Sequence, residues 1–393
     1  MPLKRFYLDH AATTWPKKAG VLEACVQYQT EIGVGAGRGA YRSAAMADRM
    51  VASTKQQLMT LIRARRESQI AFTSNGTMAL HVAIQGVLHE SDLSQTHVVT
   101  TATEHNSVLR ALARLEDERG LGWTTVPCDV TGRVSVDAIR SAVQHNTRGI
   151  IVNHASNVTG AVQDIPSIVE IAERHGVWLM VDAAQSIGYV DVSMQGIDLL
   201  AAPGHKGLGG MLGTGFVIAS ERMLDRLRSP WIGGTGRGSD RLRDEFTWVE
   251  SVESGNLNLP AIASLDAALR HRNHDLPTSD SWIHWTEMLV EEIIRQPSLR
   301  CVGPDLRSTE QGRHAPVISL TGSSMDCHEI AMLLDSELGI EARSGFHCAA
   351  LIHHDLGTQD VGGTVRFSLG HTSTADDVEA ALEGIRFLGR IEA

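Results

Sequence analysis

One lysine of the sequence stands where it could do chemistry. Lys206 follows the apolar run 197–202 and is followed by glycines, in the stretch AAPGHKGLGG. The chain has only five lysines, and none comes after Lys55 except Lys206. A lysine amine becomes a nucleophile once its pKa falls, whereas an arginine stays protonated. Lys206 therefore either extends its ammonium group to solvent or forms a covalent bond with a ligand.

Further polar residues stand directly after short apolar runs. Gly76 and Thr77 follow the run 69–73 and would open a helix whose free N–H groups can bind phosphate. The alternative role for this stretch is an ordinary turn and helix cap. Ligands of parallel α/β sheets bind beyond the carboxyl ends of the strands, so position after an apolar run is itself a signal. The same kind of position is taken by His105, Asn157, Asp182, Gln185 and His205.

These residues also have ordinary structural roles. His105 is at a predicted helix start, where a histidine is commonly a cap, and Asn157 can stabilise a turn. Asp182 ends the apolar run 177–182, so its carboxylate needs a partner, which a helix cap could supply.

No standard nucleotide motif competes with this arrangement. The sequence has no Gly-Lys pair, and neither 33–39 nor 233–238 fits the dinucleotide fingerprint. Pyridoxal 5'-phosphate (PLP) needs an amine, an anion for its pyridine nitrogen and a helix N-terminus for its phosphate. The order phosphate loop, histidine, asparagine, aspartate, lysine points to that cofactor.

Composition restricts the class of partner. A formal charge of −11 gives no general attraction to nucleic acid, and no 18-residue run is apolar enough to span a membrane. We expect a small-molecule substrate, no nucleic acid and no membrane. The first 18 residues turn polar before a signal-peptide core could form, which predicts a cytoplasmic protein. The five cysteines contain no Cys-x-x-Cys motif, which predicts free thiols.

The elements that must position these residues alternate along the chain. Apolar runs and helical periodicity predict an α/β domain with a mainly parallel sheet covered by helices, followed by a smaller α+β domain. We place the large domain at 16–275 and the small domain at 1–15 with 276–393. The predicted strands lie at 69–73, 97–101, 122–127, 149–153, 177–182, 197–202, 213–219, 315–320, 340–343 and 364–369. The predicted helices lie at 77–88, 106–118, 136–143, 165–175, 260–272, 282–295, 327–338 and 374–388.

Eight ordered segments resemble a known family. The chain is similar to the fold-type I PLP enzymes called class V aminotransferases, and most closely to the cysteine desulfurases whose active-site cysteine lies in a His-Cys-Ala stretch. Two departures are Ala350, where relatives commonly have proline, and Tyr41, where a histidine is often seen. The matching segments are YLDHAATTWPK (7–17), TSNGTMAL (73–80), TEHNSV (103–108), ASNVTGA (155–161), VDAAQS (181–186), PGHKG (203–207), SGFHCA (344–349) and TVRFSLGHTST (364–374).

The resemblance implies a role for each cofactor residue. Lys206 would be the Schiff-base lysine, Asp182 would pair with the pyridine nitrogen, and His105 would stack on the ring as a catalytic residue. Thr235 matches a threonine that relatives contribute to the neighbouring subunit's site, which implies a homodimer with shared active sites. The phenolic oxygen would be bound by Asn157 and Gln185, and the phosphate by Gly76, Thr77 and His205.

The resemblance also implies substrate residues. Arg366 would clamp the substrate carboxylate, where its alternative is a surface arginine on a strand, and Arg343 lies near the cysteine loop with its role left open. Cys348 would be the reactive thiol. For the remaining cysteines we expect buried, small apolar side chains, at Cys25, Cys128, Cys301 and Cys327. The nearby histidines match no zinc spacing, and we expect no metal at His347, His353 and His354.

These assignments predict a cysteine desulfurase. The enzyme would convert L-cysteine to L-alanine and transfer the sulfur to Cys348 as a persulfide, for delivery to an acceptor protein, for example in iron–sulfur cluster assembly. The alternative is another class V PLP enzyme, such as a C–S lyase, a selenocysteine lyase or an aminotransferase, in which Cys348 does not accept sulfur. A PLP-binding regulator is the alternative outside catalysis.

Overall fold

The computed structural model describes residues 4–37, 39–64, 70–234, 246–272, 279–304 and 314–392. The strands are β1 (Phe6–Tyr7), β2 (Ile70–Thr73), β3 (His97–Thr101), β4 (Gly122–Val126), β5 (Thr147–Asn153), β6 (Trp178–Asp182), β7 (Leu199–Pro203), β8 (Gly215–Ala219), β9 (Leu299–Val302), β10 (Val317–Gly322), β11 (Ile340–Glu341), β12 (Arg343–Gly345) and β13 (Thr364–Ser368). The helices are α1 (Val21–Gln27), α2 (Arg42–Leu61), α3 (Gly76–Val87), α4 (Asn106–Arg119), α5 (Val136–Ala142), α6 (Ile165–His175), α7 (Glu221–Leu224), α8 (Trp248–Val252), α9 (Leu259–Arg272), α10 (Ser279–Ile294), α11 (Cys327–Leu338), α12 (Ile352–Asp355) and α13 (Ala375–Ile391).

The large sheet has, within the described residues, seven strands in the order β2-β8-β7-β6-β5-β3-β4. Only β8 runs antiparallel to its neighbours, so the sheet is mainly parallel. Along β6, Leu179 and Val181 belong to one apolar cluster, while Trp178 and Met180 belong to another. Successive side chains of a strand point to opposite faces, so both faces are covered and the strands are apolar throughout.

A second, antiparallel sheet with the order β12-β13-β10-β9 lies in the C-terminal part of the described chain. Apolar side chains of α10, α11 and α13 pack with it in one cluster. The N-terminal residues join this region, because β1 pairs with β11 and the Ser368 N–H donates to the Leu8 carbonyl. The expected fold class, an α/β domain with a smaller α+β part, is confirmed. The boundaries 16–275 and 1–15 with 276–393 remain a prediction.

Each predicted helix and strand has a counterpart in the described structure, displaced by a few residues at its ends. Seven of the described elements are absent from the sequence prediction: β1, β9, α1, α2, α7, α8 and α12. No helix in the described ranges combines the length and the apolar character that crossing a membrane requires.

Candidate active site

A cavity opens at the carboxyl ends of the parallel strands. Asp182 is the last residue of β6, Asn153 is the last residue of β5, and Lys206 follows the end of β7. The topology brings these distant positions together, as expected for a ligand site of a parallel sheet. The cavity is lined by Asn75, Gly76, Thr77, Leu80, His105, Ser107, Asn153, Ala155, Asn157, Asp182, Ala184, Gln185, Pro203, His205 and Lys206.

The side-chain amine of Lys206 has a lowered pKa. Removal of the amine from water lowers its pKa to about 8, and the charges of Arg366 and Arg343 act in the same direction, while Asp182 opposes them. A substantial fraction of the amine is therefore neutral near pH 8, which a nucleophilic lysine requires. Lys206 lines the cavity. This position agrees with the second of its two possible roles, a covalent bond with a ligand.

The backbone around Lys206 is held by the N-terminal segment. The Thr14 hydroxyl donates to the Lys206 carbonyl at 2.7 Å. The His205 carbonyl accepts from the Thr14 N–H, the Thr13 hydroxyl and the Lys17 amine at 3.1 to 3.2 Å. These contacts fix the lysine from residues almost 200 positions away in the sequence.

The glycine after the lysine has a packing role. A Cβ on Gly207 would lie 2.3 Å from the Ile187 carbonyl oxygen. No side chain fits there, so a glycine is required because two backbone segments meet at this point. The glycine is not required for the close approach of a ligand.

Asp182 is buried at the floor of the cavity. Its Oδ1 accepts from the Ala184 N–H at 2.8 Å, so a turn rather than a helix cap supplies its local partner. Burial raises its pKa, while the Ala184 N–H and the Lys206 charge act against that rise. A carboxylate in this position gains from any cationic partner, such as a protonated pyridine nitrogen.

Two buried polar atoms at the cavity have no hydrogen-bond partner among the described residues: Asn157 Oδ1 and His205 Nδ1. The Asn157 amide nitrogen donates to the His347 carbonyl, and Gln185 donates to the Ala11 carbonyl at 3.0 Å. Buried polar atoms without partners cost free energy, so this donor and acceptor set fits a ligand with several polar atoms. PLP has such atoms in its phenolic oxygen and phosphate, and the residues present therefore fit it.

The first turn of α3 forms the other end of the cavity. Asn75 is the helix cap, because its side chain accepts from the Met78 N–H at 2.9 Å. Gly76 and Thr77 line the cavity, and the Thr77 hydroxyl contacts the Ser107 hydroxyl at 2.9 Å. Ser107 is a site residue that sequence analysis missed, since a serine one residue inside a helix gives no signal of its own. A helix N-terminus with two hydroxyls is suited to a phosphate group.

His105 has both of the roles considered for it. Its Nδ1 accepts from the Ser107 N–H at 3.0 Å and thereby caps α4, while the ring also lines the cavity. Burial, together with the charges of Lys206 and Arg343, lowers its pKa to about 4, so the ring is neutral at pH 7.

Cys348 lies on a strained loop near His105. His347 and Cys348 have φ values of 49° and 58°, which side chains other than glycine rarely adopt. The loop is held to the start of α4, because the Asn106 N–H donates to the Cys348 carbonyl at 2.7 Å and the Asn106 side chain accepts from the Ala350 N–H at 3.2 Å. Arg343, whose role the sequence left open, donates to the Cys348 sulfur at 3.3 Å.

Arg366 is one of the most deeply buried side chains, with 1% exposed, so it is no surface arginine. It donates through Nη1 to the Asn157 carbonyl at 3.0 Å and through Nη2 to Asp9 Oδ1 at 2.6 Å. Its buried Nε has no partner among the described residues. Asp9 was not predicted as a site residue, although it is the acid of the matching segment 7–17.

The remaining expectations have mixed outcomes. Thr235 lies outside the described residues. Cys327 is buried as expected, whereas the other three cysteines expected to be buried are only partly so. His347 and His353 bind threonine oxygens, of Thr364 and Thr358. Within the described ranges, no group of three or more metal-ligating side chains is placed to hold an ion.

Comparison with known proteins assigns the chain to a family. The sequence profile of the Aminotransferase class-V family matches residues 6–381, and the chain belongs to that family. A protein of Methanothermobacter thermautotrophicus named probable cysteine desulfurase is 32% identical over 388 residues, which cover 96% of this chain and 94% of the relative. The cysteine desulfurase IscS of Methanosarcina thermophila is 28% identical, and the match covers 97% of this chain and 91% of the relative.

A solved structure has the same architecture. The apo structure of the cysteine desulfurase from Thermococcus onnurineus NA1 superposes with a TM-score of 0.88 at 26% identity, and the match covers 98% of this chain and 95% of that one. The family resemblance expected from the sequence is thereby confirmed.

Proposed function

We propose that this chain is a PLP-dependent cysteine desulfurase that converts L-cysteine to L-alanine and receives the sulfur on Cys348 as a persulfide. The observation that carries the proposal is the position of Cys348. Its thiol is 3.3 Å from the Arg343 guanidinium, on a loop hydrogen-bonded to the helix that His105 caps. The names of the similar proteins support the same activity.

The cavity residues would hold the cofactor. Lys206 would bind its aldehyde, Asp182 its pyridine nitrogen, and the first turn of α3 its phosphate. Asn157 Oδ1 and His205 Nδ1 are buried without a hydrogen-bond partner among the described residues, so each can form a hydrogen bond with a polar atom of the cofactor. When bound, PLP supplies an electron sink that makes the Cα proton of an amino acid acidic. Lys206, with its pKa lowered to about 8 by burial, can accept that proton at Nζ and return it.

Arg366 would bind the substrate carboxylate. Two of its nitrogens are fixed by Asp9 and the Asn157 carbonyl, and its Nε has no partner among the described residues. A guanidinium held in one orientation binds a planar carboxylate with less loss of entropy than a mobile one. The Asp9 charge also offsets part of the cost of burying the guanidinium.

Cys348 would take the sulfur. In the net reaction, L-cysteine and the Cys348 thiol give L-alanine and the Cys348 persulfide. The Cβ–S bond of the substrate breaks, an S–S bond to Cys348 forms, and the Cβ gains a proton. The Arg343 guanidinium donates to the Cys348 sulfur at 3.3 Å, the atom that would attack the substrate sulfur.

The loop also suits transfer of sulfur to a second protein. Phe346 and Leu351, on either side of Cys348, are 44% and 37% exposed. We infer that a protein sulfur acceptor meets the chain there and that two chains form a homodimer in which Thr235 completes the partner's site. The cytoplasmic location expected from the sequence stays a prediction.

Replacing the proposed sulfur acceptor tests this function. We expect Cys348→Ala to lose L-alanine formation from L-cysteine while keeping the visible absorbance of bound PLP. Cys327→Ala is the matched control, because Cys327 is a buried cysteine of the same region that does not line the cavity and whose thiol donates to the Gly362 carbonyl at 3.2 Å. Unchanged turnover in Cys348→Ala would reject the sulfur-acceptor role and favour another class V reaction, such as that of a C–S lyase.

A further inference from the structure

A fully buried acid lies beneath the cavity and has no part in the chemistry described above. Glu104 precedes His105 and has none of its surface exposed. Its Oε1 accepts from the Asn153 N–H at 2.8 Å and contacts the Thr101 hydroxyl at 2.7 Å. Thr101 ends β3 and Asn153 ends β5, so Glu104 joins the ends of two adjacent strands of the large sheet.

Glu104 begins a chain of three short contacts between oxygen atoms. Glu104 Oε1 contacts Thr101 Oγ1, Thr101 Oγ1 contacts Thr103 Oγ1, and Thr103 Oγ1 contacts Asn153 Oδ1, each at 2.7 Å. Each contact needs one proton, so the chain needs three. The two threonine hydroxyls supply two, and an amide oxygen supplies none.

The orientation of the Asn153 amide cannot provide the third proton. Its nitrogen already donates to the Thr103 carbonyl at 2.7 Å and lies 3.4 Å from the Ala155 carbonyl. Turning the amide over would place its oxygen against two carbonyl oxygens. The remaining source of a proton is the carboxyl group of Glu104.

The second oxygen of Glu104 leads to the same conclusion independently. Oε2 is buried and has no hydrogen-bond partner among the described residues. A carbonyl oxygen of a neutral acid tolerates that position far better than an oxygen of a buried carboxylate.

We propose that Glu104 is a neutral carboxylic acid in the folded protein, and that its proton completes the hydrogen-bond chain that fixes the end of β5 beside Asp182. Glu104 is thus a positioning residue. Asn153 is paired in register with Asp182, and its side chain lines the cavity. Among the described lining residues Asp182 alone has a carboxylate, and a neutral Glu104 leaves it the single negative charge at the cavity floor.

The surrounding charges agree with a neutral acid. The pKa of Glu104 is raised to about 8, mainly by burial and in part by the charge of Asp182, while the contacts with Thr101 and Asn153 oppose the rise. His105 is neutral at pH 7, because burial lowers its pKa to about 4. Lys206, the cation that lines the same cavity, interacts electrostatically with Asp182.

Protein stability as a function of pH tests the proposal. The folded protein holds the proton up to about pH 8, whereas the unfolded chain releases it near the ordinary glutamate pKa of 4.5. The contribution of Glu104 to stability is therefore complete below pH 4.5 and is lost as the pH rises toward 8. Relative to Glu104→Gln, the unfolding constant of the wild type should rise about tenfold per pH unit within that window. A ratio independent of pH would overturn the proposal.

Removing a link of the chain gives a second test. Thr103→Val leaves the single Glu104–Thr101 contact, which the Thr101 hydroxyl can satisfy with its own proton, so the pKa of Glu104 should fall and the window should end at lower pH. Thr100→Val is the matched control, since the Thr100 hydroxyl is buried on β3, next to Thr101, without a partner among the described residues. An equal response of the two variants would contradict the chain.

Infrared spectroscopy reads the proton in the unaltered protein. With ¹³C-labelled glutamate, we expect the C=O stretching band of a protonated carboxyl group at pH 7, a pH at which exposed glutamates are ionised. The band should shift in D₂O. Carboxylate bands alone would overturn the proposal. None of these measurements depends on cysteine turnover, so failure here is separable from failure of the proposed desulfurase activity.

Discussion

At the scale of single residues, the proposed chemistry depends on two cations with different tasks. Lys206 must lose its proton to react, whereas Arg366 must keep its charge to bind a carboxylate. Burial lowers the pKa of both, but only the lysine, with a pKa of about 8, reaches the range where a neutral form is populated. The ion pair with Asp9 keeps Arg366 charged.

The first prediction concerns the lowered pKa of Lys206. The neutral amine is the form that reacts with an aldehyde, so the rate at which cofactor-free protein takes up PLP should rise with pH and level off above about 8. The rate is measured from the visible absorbance of bound cofactor. Lys206→Arg should show no such band at any pH. A rate still rising toward 10.5, the ordinary lysine pKa, would contradict the burial of this amine.

The second prediction concerns Asp9. In Asp9→Asn the charged hydrogen bond to Arg366 is weakened, so the KM for L-cysteine should rise roughly tenfold, since such bonds contribute about 1.5–3 kcal/mol. The kcat should change by less than about threefold. Asp376→Asn is the control, because Asp376 pairs with Lys4 at the exposed surface. A lower KM in Asp9→Asn would mean that Asp9 competes with the substrate carboxylate for Arg366.

Position along the chain predicted much of the site and failed for particular residues. Asp182 and Lys206 could be predicted because each follows an apolar run, and the ends of parallel strands share one edge. Asp9, Ser107 and Asn106 could not. Asp9 acts through a contact 357 residues distant in sequence, and the contact of Asn106 with the cysteine loop exists only after folding.

At the scale of elements, the sheet that carries the site depends on contacts between its segments. The turn before β7, at the edge of the sheet opposite to the cavity, is one such contact. Asp198 is buried there, and its carboxylate accepts from the Leu179 N–H of β6 at 2.9 Å, from the Ser220 hydroxyl at 3.0 Å and from Arg222. It thereby ties the start of β7 to β6 and to the segment after β8.

The third prediction is that Asp198→Ala destabilises the protein. The change leaves the buried Leu179 N–H unsatisfied and removes charged hydrogen bonds, which should lower the free energy of unfolding by at least about 1.5–3 kcal/mol. Urea denaturation measures the effect. Asp191→Ala is the control, because Asp191 pairs with Arg63 at the surface, where such pairs contribute about 0–1 kcal/mol. Equal losses in the two variants would contradict the structural role of Asp198.

Strands and most helices could be predicted from apolar runs, and α2 could not. Its buried face consists of small and polar residues together with a few apolar ones, including Ala44, Ala47, Thr54 and Lys55. The Lys55 amine is paired with Glu253 at 2.9 Å, which allows a lysine on a buried face. This face has few large apolar side chains, so no apolar run in the sequence marks the helix.

At the scale of the whole molecule, the proposed site requires a second chain. The resemblance gives Thr235 to the neighbouring subunit, so a single chain would lack one phosphate ligand. Exposed apolar side chains such as those of Tyr41 and Ile232, which are 56% and 100% exposed, are the kind of surface that a second chain covers.

The fourth prediction is a homodimer with shared sites. Light scattering after size-exclusion chromatography should give twice the mass of one chain. Thr235→Ala should weaken PLP binding, and mixing this variant with Lys206→Ala under conditions of subunit exchange should restore part of the activity, because one of the two mixed sites is then intact. A monomer with full activity, or no recovery after proven exchange, would contradict shared sites.

The location of the covalent cofactor tests the proposed function most directly. Two amines near the cavity have a pKa lowered to about 8 by burial, those of Lys206 and Lys17, but Lys17 donates to the His205 carbonyl and does not line the cavity. The purified enzyme would be reduced with borohydride, digested and examined by mass spectrometry. We expect the reduced cofactor on the peptide that contains Lys206. A cofactor found on Lys17, or on no lysine at all, would contradict it.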